Sequence, residues 1–351
     1  MMVFGVDPHK GSHTAAGADE LGRETAGKTV PARREGCREL IAWARAVAPE
    51  GRRRAVEDVR HVASGLVREL LAAGEEVVFV PTRMMAAARA GARGRGKSDP
   101  IDALANARAA LREGAFLPAA RLDARVLEVR RLADHRDDLV AERTRTVNRL
   151  RWLVHDLDPA LAPPPRALAG AKARALLDAR LRALPASASR RVALSQLEAA
   201  ARLSDEAAAL EAELRALTAD LCPALLAVPG VGAITAARIL GETGDVRRFR
   251  SPAAYARHNG TAPVPASSGT RDVHRLNRGG NRQVNAAIHR AAITQARCHQ
   301  PAIDLLERRA QTIRETRKAA LRVLKRHLSD VIYRALHADA WRLDEPRQTA
   351  A

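Results

Sequence analysis

Four carboxylates in the first part of the sequence stand where they could bind divalent cations. Asp7 and Glu57 each end a run that predicts a β-strand, and Asp99 and Asp102 lie at the start of a predicted helix. A spacing of three residues places both of these aspartates on one helix face. Clustered carboxylates repel one another unless a cation neutralises them, and their hard oxygen atoms suit Mg²⁺ or Mn²⁺. The pattern predicts two-metal phosphodiester chemistry.

A capping role for the two helical aspartates is the alternative. Asp99 precedes Pro100, so it could be the helix N-cap with Pro at N1, while Asp102 at N3 would interact favourably with the helix dipole. The metal-ligand hypothesis is favoured because carboxylates also end two of the predicted strands. Asp58 should point to the opposite face from Glu57, which makes it a substitute rather than a ligand.

A loop near residue 267 contains a second group of reactive side chains. Ser267 and Ser268 are bounded by Pro and Gly residues, and serines in such loops are usually turn residues. The nearby cations favour another role, because Arg groups could hold a scissile phosphate and stabilise the charge that develops when a hydroxyl attacks it. The cations that follow are Arg271, His274, Arg275, Arg278 and Arg282.

Three further segments are suited to phosphate binding. One is the basic Gly-rich run before Asp99, another is the turn after Asp7, where His9 is expected to be a solvated turn residue, and the third is "VPGVG". Backbone N–H groups after a Gly-rich turn can hold a phosphate, as helix-hairpin-helix elements do, although these glycines could equally form a tight turn. The candidate contacts are Lys10, Arg93, Arg95, Lys97, Gly230 and Gly232.

The elements that must position the carboxylates are predicted from apolar periodicity. Residues 1–117 show the order βββαβαβα, which predicts a mixed α/β sheet covered by helices. This layout is shared by the ribonuclease H-like nucleases. If the first and fourth strands are neighbours, their carboxyl ends bring Asp7 and Glu57 together. The four carboxylates would then converge.

The rest of the chain is predicted to be mainly helical. Residues 118–220 form a linker in which apolar residues step by three, four or seven over 121–157 and over 203–221. These are the arms of an antiparallel coiled coil, either as a bundle inside one monomer or as a dimerising arm. Residues 221–302 form a second globular unit that contains the serine loop, and residues 303–351 form a basic helix and tail.

Composition favours a polyanionic partner. The net charge is +19 and the sequence pI is about 11.2, which indicates nucleic acid. Arg far outnumbers Lys, which suits phosphate recognition but would also follow from a GC-rich genome. The cysteines Cys37, Cys222 and Cys298 have no disulfide or metal spacing, and the sequence has no signal peptide or long apolar run. We expect a cytoplasmic protein without a membrane partner.

The motifs together resemble one family. "GVDPHK", "AVED", "RGKSDPIDALA", "VPGVG", "ASSG" and "NRGGNRQ", in this order, are similar to the insertion-sequence one-ten family of DEDD transposases, and the resemblance covers essentially the whole chain. It implies a Holliday-resolvase-like domain whose acidic set is Asp7, Glu57, Asp99 and Asp102. It also implies a nucleophilic serine at Ser268, although the adjacent Ser267 stays an alternative.

Further expectations follow from this resemblance. Some members are bridge-RNA-guided recombinases, and members act as tetramers in which the acidic site of one subunit joins the serine loop of another. A bacterial, nucleoid-associated protein that forms dimers or tetramers is implied. The sequence departs from many members after Glu57, where "EDVRHV" replaces a small Gly- or Thr-containing turn. Local DNA or RNA contacts are therefore expected to differ there.

The sequence supports three functional hypotheses. The first is a DNA recombinase that excises and inserts a mobile element through a covalent phosphoserine intermediate, with Mg²⁺ at the acidic site, donor and target DNA as substrates and a guide RNA choosing the sites. The second is a metal-dependent resolvase that hydrolyses DNA junctions with water, which gives the serine loop no role. The third is a non-catalytic nucleic-acid-binding protein whose acids only cap helices and end strands.

Overall fold

The computed structural model divides the chain into two compact units. One unit comprises residues 1–123 and 245–255, and the other comprises residues 124–244 and 256–351. The four segments predicted from the sequence stay a prediction. The structure describes residues 1–57, 60–81, 84, 98–114, 117, 119–121, 123–164, 166–265, 274–275, 277, 279–312, 314 and 316–344.

The first unit is built on a five-stranded mixed sheet. Its order is β3-β2-β1-β4-β5, in which β1, β2 and β3 form an antiparallel meander and β4 and β5 run parallel to β1. This confirms the predicted mixed sheet, and it is the strand layout of the ribonuclease H-like fold. The first and fourth strands are neighbours, which was the condition for Asp7 and Glu57 to meet. The strands are β1 (Met2–Pro8), β2 (Ser12–Ala18), β3 (Glu24–Pro31), β4 (Arg52–Glu57) and β5 (Val77–Val80).

Helices cover both faces of this sheet. α1 (Arg34–Val47) and α2 (Arg60–Ala72) contribute apolar residues such as Leu40 and Leu66 to a core with Val6 and Val56. α3 (Asp99–Glu113) packs on the opposite face, where alanines of the helix meet Val3 and its neighbours on β4 and β5. Because side chains alternate along a strand, odd-numbered β1 residues face α3 and even-numbered ones face α1 and α2.

The second unit is mainly helical. Its two longest helices contain 34 residues each. In the described residues, no helix of either unit is long and apolar enough to cross a bilayer. The helices after α3 are α4 (Ala124–Leu157), α5 (Ala171–Ala183), α6 (Ala188–Leu221), α7 (Pro223–Leu226), α8 (Ala233–Thr243), α9 (Pro252–His258), α10 (Arg282–Cys298), α11 (Gln300–Thr312) and α12 (Arg317–Asp344). Residues 256–258 of α9 belong to this unit.

The two long helices α4 and α6 pair in an antiparallel manner within one chain. Arg136 near the middle of α4 donates to Glu211 of α6 at 2.9 Å, whereas Leu150 and Val154 at the end of α4 pack against Leu197 near the start of α6. The two helical segments predicted between residues 121 and 221 are confirmed as helices that pack together. Their role as an oligomerisation arm stays a prediction.

Candidate metal centre

The candidate centre begins with Asp7, which is the next-to-last residue of β1. Its side chain points toward α3, and the residue is only 4% exposed. Burial raises the pKa of Asp7; the nearby His9 opposes this shift, while the carboxylates of Asp102 and Asp99 raise the pKa further. A buried anion beside two other anions is costly unless a cation compensates it.

The first turn of α3 supplies the other two aspartates. The N-cap of this helix is Ser98, with an extended backbone, so Asp99 is the first helical residue and Pro100 the second. The alternative prediction that Asp99 is the N-cap is therefore wrong by one position. Asp102 is 6% exposed, and its carboxylate is close enough to raise the pKa of Asp7. The first-turn position favours both acids through the helix dipole.

His9 contacts two of these acids, the buried Asp7 and the half-exposed Asp99. Its Nε2 atom is 3.1 Å from Oδ2 of Asp7 and 3.4 Å from Oδ1 of Asp99. One ligand atom from each of these three residues lies within 4.8 Å of the others, which is a spacing that could hold one metal ion. His9 was predicted to be a solvated turn residue, and its side chain is about half exposed. Its contacts with the two acids were not predicted.

Glu57 is placed beside Asp7 by strand register. Val6 pairs with Val56 in the parallel β1–β4 ladder, so the next residues of each strand lie side by side and point to the same face. Glu57 is half-buried and pairs in register with Val80 of β5. The structure thus brings all four predicted acids to the same end and the same face of the sheet. Asp58 lies outside the described residues.

The close approach of α3 to β1 depends on two residues that the sequence analysis did not select. A Cβ atom on Gly5 would lie 2.0 Å from the carbonyl oxygen of Ala103 and 2.3 Å from the backbone nitrogen of Ala107. Asn106 is fully buried, and its Nδ2 donates to the carbonyl oxygen of Val6 at 2.9 Å. Two sequence features could have identified these residues: a glycine within a predicted strand and a polar residue within an alanine-rich helix.

The donor set fits a divalent cation. Carboxylate oxygens are hard ligands, and a divalent cation would offset both the burial and the repulsion that raise the pKa of Asp7. The imidazole of His9 is a softer donor than the carboxylates and is a common ligand of transition metals such as Zn²⁺ and Fe²⁺. The geometry of Asp7, His9 and Asp99 supports a divalent metal site without specifying the metal.

A basic cavity borders the same strand ends. It has a volume of about 530 Å³ and is lined by Lys10, Arg33, Arg34 and Arg68, together with His9. Lys10 is exposed, as a phosphate contact must be. The other predicted phosphate contacts near Asp99, namely Arg93, Arg95 and Lys97, lie outside the described residues.

The elements on either side of the predicted serine loop belong to the second unit. Short antiparallel strands β6 (Val264–Pro265) and β7 (His274–Arg275) flank it, with Val264 paired to Arg275. Arg275 is exposed, and Arg282 is the exposed first residue of α10. Four of the predicted residues lie outside the described residues: Ser267, Ser268, Arg271 and Arg278.

The glycines of "VPGVG" form the turn between α7 and α8. Gly230 has a φ of +81°, and a Cβ atom on it would lie 2.7 Å from the carbonyl oxygen of Ala291 in α10. Gly232 is the N-cap of α8. The tight-turn alternative therefore accounts for Gly230, while phosphate binding by the backbone of this turn stays a prediction.

The fold and the acidic cluster define a class of protein: a ribonuclease H-like domain with a candidate metal-dependent carboxylate site. Two family models extend this assignment. Residues 4–159 match a model described as DEDD_Tnp_IS110, Transposase, and residues 222–307 match the Transposase IS116/IS110/IS902 family. The two matches together cover more than half of the chain. The chain belongs to the IS110 family of transposases, as the sequence motifs predicted.

Curated relatives agree with this membership. The chain is 29% identical over 378 residues to the insertion element IS116 uncharacterized 44.8 kDa protein of Streptomyces clavuligerus, which covers 95% of this chain and 94% of that protein. It is 30% identical over 267 residues to the insertion element IS110 uncharacterized 43.6 kDa protein of Streptomyces coelicolor, covering 63% of this chain and 66% of that protein.

A solved structure also matches part of the chain. This is T. thermophilus RuvC in complex with Holliday junction substrate, with 16% identity, coverage of 34% of this chain and 99% of that one, and a TM-score of 0.28. The fold assignment depends on the strand order given above and not on this match.

Proposed function

We propose that this transposase is a DNA recombinase that excises and inserts a mobile element by covalent strand exchange. The observation that carries the proposal is the contact of His9 with both Asp7 and Asp99, with the Asp102 carboxylate near Asp7 and Glu57 beside Asp7 on the same sheet face. Donor and target DNA are the substrates, in keeping with a net charge of +19.

The acidic residues would hold the divalent ion. Asp7, Glu57, Asp99 and Asp102 are the proposed ligands, and Mg²⁺ is the metal we favour, with Mn²⁺ as a substitute. When bound, such an ion supplies Lewis-acid stabilisation of the charge that develops on phosphate oxygens. The raised pKa of Asp7 supports this assignment, because a cation at the cluster would favour the ionised carboxylate.

The nucleophile in this proposal is Ser268, with Ser267 as the alternative. The serine oxygen forms a bond to the phosphorus of a DNA phosphodiester, a P–O bond to one deoxyribose breaks, and the serine proton ends on the released sugar hydroxyl. Arg271, Arg275, Arg278 and Arg282 would stabilise the phosphate charge during this exchange. The support is the family resemblance of the loop and the exposure of Arg275 and Arg282 in the flanking elements.

Trapping of a covalent adduct tests the nucleophile. Purified protein is incubated with Mg²⁺ and a supercoiled plasmid that carries the gene with its flanking DNA, then denatured and analysed by gel shift. We expect an adduct with the wild type and with Ser267→Ala, and none with Ser268→Ala. Adduct formation by Ser268→Ala alone would assign the role to Ser267, and adducts with both variants would refute a serine mechanism. Cleavage without any adduct would favour the hydrolytic resolvase.

A guide RNA that selects the DNA sites is also part of the proposed function. A bridge RNA would select donor and target by base pairing, so the protein would read nucleic-acid shape and backbone more than sequence. RNA that co-purifies with the protein should derive from the DNA next to its own gene. Recovery of unrelated cellular RNA alone would remove the support for a guide.

A further inference from the structure

A second basic cavity lies in the helical unit, apart from the residues assigned above to the acidic site. Its volume is about 260 Å³, and it is lined by Thr261, Arg275, Arg322, Lys325 and Arg326, among others. The segment 260–263 leads directly into β6, and Arg275 belongs to β7. The cavity is therefore built on the residues that flank the serine loop in the sequence.

The positive charge in this cavity is only partly neutralised. Among the residues that the structure describes, Arg326 forms an ion pair with Asp330, but Arg275, Arg322 and Lys325 form none with a carboxylate. Three cations without acidic partners around one concave surface attract an anion. A group with several oxygen acceptors, such as a phosphate, matches their donors.

Lys325 is held in place by neutral groups. It is half-buried, and its Nζ donates at 2.6 Å to Oδ1 of Asn285 in α10, whose own Nδ2 donates at 2.8 Å to the carbonyl oxygen of Asn259. The amide orients the ammonium group without neutralising it. In the described part of the chain, Lys325 therefore has an amide partner but no carboxylate partner.

The pKa values of two side chains beside this cavity agree with the arrangement of its cations. Burial lowers the pKa of Lys325, and the charge of Arg322 lowers it further. Burial also lowers the pKa of His289, one helical turn beyond Asn285, with Lys325 as the second cause. Both shifts have burial as their first cause and a neighbouring cation as their second, which agrees with the clustering of positive charge at this cavity.

We infer that Arg275, Arg322 and Lys325 form a phosphate-binding site for the DNA strand that enters the serine loop, with Lys325 as its central contact. The inference rests on the proposed function for the identity of the strand, but not for the existence of the phosphate site. Lys325 would act as a positioning residue that fixes one backbone phosphate beside the reacting loop. A cluster of cations that form no ion pair with a described carboxylate is what an anion-binding site requires.

The test compares Lys325→Met with Lys318→Met. Lys318 is an exposed lysine of the same helix, α12, and does not line the cavity. Binding of a fluorescein-labelled duplex carrying the DNA next to the gene is followed by anisotropy over a range of NaCl concentrations. We expect Lys325→Met to weaken binding and to reduce the slope of log Kd against log salt by about 0.9, because one phosphate contact is lost. Lys318→Met should leave the slope unchanged.

Thermal stability distinguishes a binding role from a structural one. Lys325→Met removes a desolvated charge but also the hydrogen bond to Asn285, so the two effects oppose each other and the melting temperature should change little. A lower melting temperature with an unchanged salt slope would overturn the inference, as would equal losses of slope in the two lysine variants. Arg322→Met provides a second variant at an exposed position and should also reduce the slope.

Two further measurements distinguish a failure of the phosphate site from a failure of the proposed recombination chemistry. An RNA duplex of the same sequence is the second probe, and a loss of slope confined to RNA would overturn the assignment to DNA. In Ser268→Ala protein, Lys325→Met should still reduce the slope of log Kd against log salt, because binding does not require the nucleophile. If the lysine dependence persists while no covalent adduct forms with any variant, the phosphate site stands and the proposed recombination chemistry fails.

Discussion

Asn106 Nδ2 donates a hydrogen bond of 2.9 Å to the carbonyl oxygen of Val6 and thereby ties the helix that carries Asp99 and Asp102 to the strand that carries Asp7. Asn106 is fully buried, so its bond is protected from competition with water. The residues that bear the acidic site are thus fixed by a contact that spans 100 positions in the sequence.

Replacing Asn106 should loosen this attachment. We expect Asn106→Ala to lower the free energy of unfolding by about 1–3 kcal/mol, since a buried hydrogen bond is lost and a cavity remains. Divalent-ion binding should weaken as well, because α3 is no longer held in register. Urea denaturation measures the first effect, with Asn148→Ala on the exposed surface of α4 as the control. Equal stability of the two variants would contradict the positioning role.

A methyl group at Gly5 should be more damaging. Its Cβ would collide with backbone atoms of Ala103 and Ala107, which cannot move unless α3 shifts away from β1. We expect Gly5→Ala to destabilise the fold by roughly 3 kcal/mol or more and to abolish metal binding. Gly11→Ala is the matched control, because a Cβ there meets no atom within 4 Å. Similar melting temperatures for both variants would show that α3 does not need this close approach.

Glu75 should stabilise the first unit in a pH-dependent way. Burial alone would raise the pKa of Glu75, but hydrogen bonds from Arg52 and Arg45 and the charge of Arg54 outweigh it and lower the pKa to about 2. A pKa lower in the folded than in the unfolded state means that this stability is present above about pH 4.5 and is lost as the pH falls toward 2.

The corresponding variant is Glu75→Gln. At neutral pH this substitution should lower the free energy of unfolding by about 3 kcal/mol. The difference in free energy from wild type should shrink as the pH falls below the pKa that Glu75 has in the unfolded chain. Glu76→Gln is a neighbouring control, because Glu76 is an exposed residue paired with Arg53 and should contribute less than about 1 kcal/mol. Chemical denaturation at several pH values measures both. A difference that stays constant down to pH 2 would contradict the cause assigned here.

Asp102→Asn should separate stability from activity. Removing one of several clustered carboxylates relieves repulsion on Asp7, so the melting temperature should not fall. DNA cleavage with Mg²⁺ should fall by at least the roughly 10–100-fold that is typical when a contact behind a metal ligand is removed. Asp205→Asn, at an exposed position of α6, controls for general loss of acidity. Clear destabilisation by Asp102→Asn would instead assign that aspartate a structural role.

Much of the first unit was predictable from local sequence. Strand alternation and helical periodicity located β1 to β5 and α1 to α3, and carboxylates at strand ends located Asp7 and Glu57. Parallel pairing of β1 and β4 then follows from the topology, which limits the possible neighbours. The convergence of acids from separate elements could therefore be expected before the structure was known.

The remaining features depend on contacts between distant parts of the chain. Gly5 and Asn106 carry no periodic signal, because their roles arise only where β1 and α3 touch. His9 looked like a turn residue, since its contact with Asp99 joins segments 90 positions apart. Arg275 was among the predicted cations, but Arg322 and Lys325 were missed for the same reason: α12 and the strands beside the serine loop are distant in sequence.

Binding of Mn²⁺ to the intact chain tests the central claim most directly. The free ion is followed by its electron paramagnetic resonance signal during titration of wild type, Asp7→Asn and the control Asp205→Asn, with thermal melts confirming that each variant is folded. The acidic cluster predicts saturable binding to wild type and to the control, and binding at least about tenfold weaker in Asp7→Asn. Equal affinity in all three folded proteins would contradict a metal centre at Asp7.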